Sequence, residues 1–273
     1  MDYCRPKSLG EATRALGVPG ARVLSGGTDL LARIGRGEAW PTGLVDLKAL
    51  SELRGIERQE GLLRIGASTP IADIIESSLL GPFPALREAC RLFAARAIRN
   101  RASLGGNLVN ASPAADSVPP LMVHETVCVT DRRRIPIADF VLGPGETVLE
   151  AGEILLSFEL PLPPEGARAF FVKLAPREAM AISVINFAGL IIERDGKVAL
   201  ARIALGALAP RVVRAKAAES YLEGNELTRE IASIAAKLST EAASPIDDIR
   251  ATADYRSRML VRLLEWELFK LAD

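Results

Sequence analysis

Apolar residues set the elements of the chain before any other feature is consulted. Ser8-Leu9-Gly10-Glu11 fits a capping box, in which the serine hydroxyl takes one free amide and the glutamate reaches back to another. A short helix is expected from Leu9 to Leu16, stopped by Gly17. Arg22-Val23-Leu24 reads as a brief strand running into Ser25-Gly26-Gly27-Thr28-Asp29, after which Leu30, Leu31 and Ile34 take helical spacing. Strands are expected at Gly43 to Leu47, Leu62 to Gly66 and Thr126 to Thr130, and Thr69-Pro70 opens a helix. A longer helix over Pro84 to Arg96 places Leu86, Cys90 and Phe93 on one face, and a second glycine turn, Ser103 to Asn107, follows it. Alternation puts Ile154, Leu156, Phe158 and Leu160 on one face of a further strand.

Three prolines within Pro161-Leu162-Pro163-Pro164, followed by Glu165-Gly166, continue neither a helix nor a central strand, so the domain division is placed there: 1–165 and 166–273. Beyond it, apolar runs at Ala169 to Leu174, Ser183 to Ile192 and Val198 to Leu205 predict an antiparallel sheet, the last two joined by the hairpin signal Asp195-Gly196. Helices come afterwards, one with Ile231, Ile234 and Leu238 in step, and a terminal one with Tyr255, Met259, Leu263 and Trp266. The fold class is therefore α+β.

Composition narrows the classes of function. With 49% hydrophobic and 25% charged residues, the 273-residue chain is of globular type. Its 34 basic residues balance its 34 acidic ones, which removes the global field that recruits nucleic acid or an anionic membrane. The start, Met1 to Lys7, has no apolar segment behind a basic flank, and the charge-free stretch Ala179 to Ile192 is too short to span a bilayer, so no transmembrane segment and a cytoplasmic location are expected. Cys4, Cys90 and Cys128 are odd in number and far apart, which indicates neither a disulfide framework nor a zinc or iron–sulfur site within the chain.

The two glycine turns carry the candidate chemistry. Adjacent glycines let backbone amides approach an anion closely, and Ser25, Thr28, Ser103 and Asn107 add polar side chains. Each turn alone also reads as a tight bend with polar trim. Neither G-x-G-x-x-G nor the G-x-x-x-x-G-K-[ST] loop is present, and the single histidine, His124, sits in an apolar run as a satisfied, partly buried imidazole would, so a standard nicotinamide domain, a nucleoside triphosphatase and a histidine triad are set aside. Asp116 is a ribose or flavin acceptor or the cap of the next segment. Lys173, beside Phe170-Phe171-Val172, either meets a buried partner or snorkels to the surface.

The strings Leu24-Ser25-Gly26-Gly27-Thr28-Asp29-Leu30-Leu31 and Ile98 to Asp116, with Ser103-Leu104-Gly105-Gly106-Asn107 at the centre of the second, resemble the two FAD signatures of the medium, flavin-binding subunit of molybdenum hydroxylases. This is the family of bacterial xanthine dehydrogenase FAD subunits and the carbon monoxide dehydrogenase medium subunit. The resemblance extends over nearly the whole chain, through Arg5-Pro6-Lys7-Ser8-Leu9, Arg64 to Thr69, Ala204-Leu205-Gly206-Ala207 and Ala253-Asp254-Tyr255-Arg256. Ser25 stands where alanine is more usual, and Ser103-Leu104 where Thr-Ile is common; no glycine is lost.

The resemblance implies a vanillyl-alcohol-oxidase-like (PCMH-type) FAD-binding domain of two subdomains, followed by a smaller C-terminal domain with an antiparallel sheet and helices. It implies FAD contacts at Val23, Leu24, Ser25, Gly26, Gly27, Thr28, Asp29, Leu30, Phe93, Ser103, Leu104, Gly105, Gly106, Asn107, Asp116, Leu155 and Lys173, with no catalytic side chain and no metal on this chain. His124 lies in neither signature, so the FAD is expected to be non-covalent. The expected partners are a large molybdopterin subunit and a small [2Fe-2S] subunit, in a dimer of heterotrimers, with electrons passing through FAD to NAD or another acceptor. A scaffold of the same fold that has lost the cofactor is the alternative.

Overall fold

The computed structural model describes residues 1–177 and 180–272; Glu178, Ala179 and Asp273, and with Ala179 the start of the long charge-free stretch, lie outside the described residues. Three sheets follow one another in space. The first is parallel, in the order β1 (Asp2–Cys4), β3 (Gly43–Asp46), β2 (Ala21–Leu24). The second is antiparallel, in the order β4 (Ile56–Gln59), β5 (Leu62–Gly66), β10 (Leu155–Pro161), β6 (Val127–Thr130), β7 (Arg134–Pro136). Between β7 and β10 lies the small hairpin β8 (Val141–Gly143) and β9 (Glu146–Thr147). The third sheet is antiparallel, β11 (Arg168–Leu174), β12 (Ile185–Arg194), β13 (Lys197–Gly206), β14 (Val213–Arg214).

Local signals account for many boundaries. The first helix runs Leu9–Leu16, and Ser8 accepts from the Glu11 amide at 3.3 Å; the Glu11 carboxylate reaches the amide of Lys7, one residue before the cap. Asp195 and Gly196 take φ values of 54° and 74°, the paired left-handed residues of a tight hairpin joining β12 to β13.

Three expectations are corrected. The helix that begins at Pro84 ends at Arg91, because Ala94 turns left-handed with φ 41° and its carbonyl, with that of Phe93, is taken by the Arg99 guanidinium. The face shared by Ile154, Leu156, Phe158 and Leu160 is broken: β10 slips register between Leu155 and Ser157, so Ile154 and Leu156 pack on the core of the first sheet while Leu155, Phe158 and Leu160 enter the core of the second. On the terminal helix, Ala253–Ala272, the buried line is Arg256, Leu260, Leu264 and Leu268, one residue on from Tyr255, Met259 and Leu263; Tyr255 and Trp266 remain exposed. Arg256 turns inward because it bonds the carbonyls of Val184 and Ala207 and pairs with Asp248.

The third sheet is not a separate body. Its helices, Lys216–Leu222, Arg229–Leu238 and the terminal one, enclose a core on one face, while Phe171, Ala188, Leu190, Ile192 and Ala204 join the core of the second sheet through the other. The seam so formed runs past Asp116 and Lys173. Among the described residues no helix is long and apolar enough to cross a membrane.

Candidate functional site

The two glycine turns lie against each other although Ser25 and Ser103, which touch across them, are 78 residues apart in the chain. The second is fixed from behind, where the amides of Ile71, Leu104 and Gly105 bond the carbonyls of Ala102, Thr69 and Ala67 and so zip residues 102–105 to the segment after β5. The first leans on it: Gly26 rests on the backbone of Arg101 and Ala102, and the Ser25 hydroxyl lies 3.0 Å from that of Ser103 and 3.4 Å from that of Ser68. Gly27 adopts φ +73°, a conformation that glycine reaches without strain.

The turns differ in what they leave free. In the second, Leu104 and Gly105 are bonded as above, Gly106 donates to the Ser103 hydroxyl at 3.1 Å, and Asn107 donates to the Ser103 carbonyl. In the first, the amides of Gly26, Gly27, Thr28 and Asp29 donate to no acceptor among the described residues, at the entry to the helix Leu30–Gly35. Four successive free N–H groups at a glycine turn form an array of donors of the type that holds phosphate oxygens. Lys48, paired with Asp46 at 2.7 Å, adds a cation by donating to the Ser25 carbonyl at 3.3 Å. The expectation that both turns offer phosphate amides is thus narrowed: the first carries free donors, and the second supplies the Ser103 hydroxyl and a surface to lean on.

Asp116 and Lys173, with Phe93 beside them, gather at the seam between the second and third sheets. Asp116 is buried, and its Oδ2 accepts from Lys173 Nζ at 2.6 Å; both side chains are less than a tenth exposed. Lys173 therefore does not snorkel. It also donates to the carbonyl of Leu92, beside Phe93, at 3.2 Å. The other oxygen of Asp116 accepts from Ser183 at 2.7 Å and from Asn186 at 2.8 Å. Phe93 is half-buried on the central core, which also contains Leu104 and Leu155, and Asn107 accepts from Ser117 at 2.7 Å. Val23 and Asp29 are exposed and Leu24 is buried. Burial first, and the Asp116 charge second, push the Cys90 thiol up to about 12, which leaves it protonated. His124 is buried edge-on to Phe83, yet its Nε2 has no partner among the described residues, so it is not the satisfied imidazole expected.

Ser68, Lys48, Ser183 and Asn186 escaped the reading of the sequence. Ser183 and Asn186 did leave a trace, as the two polar side chains inside the apolar stretch that ends at Ile192.

A family model described as "FAD binding domain in molybdopterin dehydrogenase" matches residues 1–163, and a second, "CO dehydrogenase flavoprotein C-terminal domain", matches residues 170–266. The chain belongs to the FAD-binding family of molybdopterin dehydrogenases. It is 31% identical over 272 residues to the carbon monoxide dehydrogenase medium chain of Hydrogenophaga pseudoflava, covering 97% of this chain and 94% of that one. The xanthine dehydrogenase FAD-binding subunit of Escherichia coli O157:H7 is 32% identical over 266 residues, covering 94% and 91%. Among solved structures, that of carbon monoxide dehydrogenase from Hydrogenophaga pseudoflava lacking the Mo-pyranopterin moiety of its molybdenum cofactor aligns with a TM-score of 0.94, 32% identity and coverage of 97% and 95%. Quinoline 2-oxidoreductase from Pseudomonas putida 86 aligns with a TM-score of 0.93, 30% identity and coverage of 100% and 96%. The chain is an oxidoreductase flavoprotein subunit of this family, and its cofactor is FAD. The free donors of the first turn fit the diphosphate of that cofactor.

Proposed function

We propose that this chain carries electrons through FAD, from [2Fe-2S] clusters on a small partner subunit to NAD or a comparable acceptor, while a large molybdopterin subunit oxidises the substrate. The array of four free amides at Gly26 to Asp29, hemmed by the hydroxyls of Ser25, Ser68 and Ser103, carries the reading. Val23 to Leu30 and Ser103 to Asn107 hold the diphosphate and adjoining parts of FAD; Asp116 and Lys173 supply polar contacts, Phe93 and Leu155 apolar ones. The FAD is held non-covalently. FAD, when bound, supplies exchange between one-electron and two-electron carriers. The protein's part is to bind it, orient it and exclude water. The division of the chain into 1–165 and 166–273, a cytoplasmic location and a dimer of heterotrimers belong to the same reading.

The test is isolation of the native complex. The expected preparation is yellow, releases intact FAD on denaturation, contains two further subunits with molybdenum and iron, and reduces NAD when given substrate. A chain that purifies alone and colourless, and takes up no added FAD, overturns the proposal in favour of a scaffold without cofactor.

A further inference from the structure

We propose that Ser183 and Asn186 are positioning residues for the flavin nucleotide: acting through Asp116, they fix the direction of the Lys173 ammonium. The inference rests on FAD binding as proposed above and adds Asn186 of β12, and Ser183 just before that strand, to the site.

An ammonium has three hydrogens, and two of those on Lys173 are spent, on the carbonyl of Leu92 at 3.2 Å and on Asp116 Oδ2 at 2.6 Å. The third has no acceptor among the described residues. Its direction follows from the other two, because the geometry at nitrogen is tetrahedral. A lysine on four rotatable bonds does not hold such a direction by itself. It holds here only as long as the carboxylate does. Asp116 Oδ1 is pinned by the Ser183 hydroxyl at 2.7 Å and the Asn186 amide at 2.8 Å, and that amide also lies 3.3 Å from the Ser183 oxygen, so the carboxylate cannot turn without breaking both bonds. Asp116 lies in the turn before the helix Val118–Val123, whereas Lys173 lies in β11, Asn186 in β12 and Ser183 just before β12, so the third sheet and its lead-in set the lysine.

Asn186 is itself held with little freedom. Its Oδ1 is buried without a partner and lies against the backbone of Gly206, where a Cβ would fall 1.9 Å from that oxygen. An orphaned acceptor costs stability, and its retention is explained if the donor side of the same amide has a task.

A simple strut between sheets makes the same contacts, and a double-mutant cycle on the full-length chain separates the two roles. FAD affinity is measured for wild type, Lys173→Met, Ser183→Ala and the double variant, with far-ultraviolet circular dichroism and thermal melting of each apo form. Ser183→Ala leaves Asn186 on the carboxylate and so spares the fold; Asn186→Ala, run through the same cycle, takes its place if Ser183→Ala does not fold. Loss of a hydrogen bond to a charged group predicts about a 10-fold or greater rise in the FAD Kd for Lys173→Met. Ser183→Ala is expected to weaken FAD about 5-fold in the wild-type background and less than 2-fold in the Lys173→Met background, and Ser183→Thr to restore affinity. Equal weakening in both backgrounds, or none in the wild type, overturns the proposal. Unchanged affinity in Lys173→Met overturns it too, while leaving FAD binding intact. A wild-type chain that takes up no FAD overturns both readings together.

Discussion

Gly26 stands against the carbonyl of Arg101 so closely that a Cβ built on it falls 2.0 Å from the oxygen and 2.9 Å from the Cα of Ala102. Neither neighbour is a side chain that can swing away. This contact, between residues far apart in sequence, is what turns two glycine bends into one site.

The glycines of the site accordingly separate into two kinds. Gly26→Ala forces backbone apart and is expected to cost about 2–3 kcal/mol, with FAD affinity lost alongside stability. Gly106 is exposed, and a Cβ there meets only the Ser103 hydroxyl at 3.0 Å. Gly106→Val should therefore leave urea unfolding within about 1 kcal/mol of wild type while abolishing FAD retention. Equal loss of stability in both variants, or stoichiometric FAD in Gly106→Val, contradicts this division.

Acid weakens the fold in two stages. The His124 imidazole is pushed down to about 4 from 6.5, by burial first and by the charge of Arg202 second. Glu153 is pushed down to about 2 from 4.5, chiefly by the Arg133 guanidinium, with help from the Glu150 amide and the Thr130 hydroxyl against the opposing effect of burial. Both groups bind their protons later in the folded chain than in the unfolded one. The stability each contributes is whole above its unfolded value, fades from 6.5 towards 4 for His124, and fades from 4.5 towards 2 for Glu153. Denaturant titrations at a series of pH values should show His124→Gln flattening the upper stage and Glu153→Gln the lower. A variant whose pH profile parallels wild type removes that group from the account.

Thiol chemistry offers a simple check on packing. Cys4 is exposed, whereas Cys90 and Cys128 are buried and burial pushes both thiols up. Native protein should react with an aromatic disulfide reagent at one thiol within minutes, and at all three only in denaturant. Fast reaction at Cys90 would mean that the seam beside Asp116 opens.

Gly206→Ala probes the amide of Asn186 from its far side. Its methyl meets Asn186 Oδ1 and Pro119, so displacement of the amide from Asp116 is expected, with a loss of about 1–3 kcal/mol. Melting temperature measures it, and an unchanged value shows that β13 yields without moving Asn186.

Signals confined to a few neighbouring residues were legible in the sequence. The capping box placed Leu9–Leu16, alternation and turn residues placed β5 over Leu62–Gly66, and Asp195-Gly196 placed the hairpin of β12 and β13. The glycine turns were visible as motifs. Their contact was not, because it depends on the zipper between residues 67–71 and 102–105, which no local pattern encodes. The terminal helix misled for another reason: Leu260, Leu263, Leu264, Trp266 and Leu268 place apolar residues on several sides, and tertiary packing chose the line that includes Arg256. Ser183 and Asn186 were visible as polar interruptions, but their acceptor lies about seventy residues earlier in the chain.

The place of β10 has a consequence for synthesis on the ribosome. It lies between β5 and β6, with its slipped register feeding one core with Ile154 and Leu156 and another with Leu155 and Phe158. A nascent chain that has emerged only as far as residue 150 holds two half-sheets with bare edges and no strand to join them. Completion of both cores waits for a single late segment, and until it arrives these edges need shelter from neighbouring polypeptides.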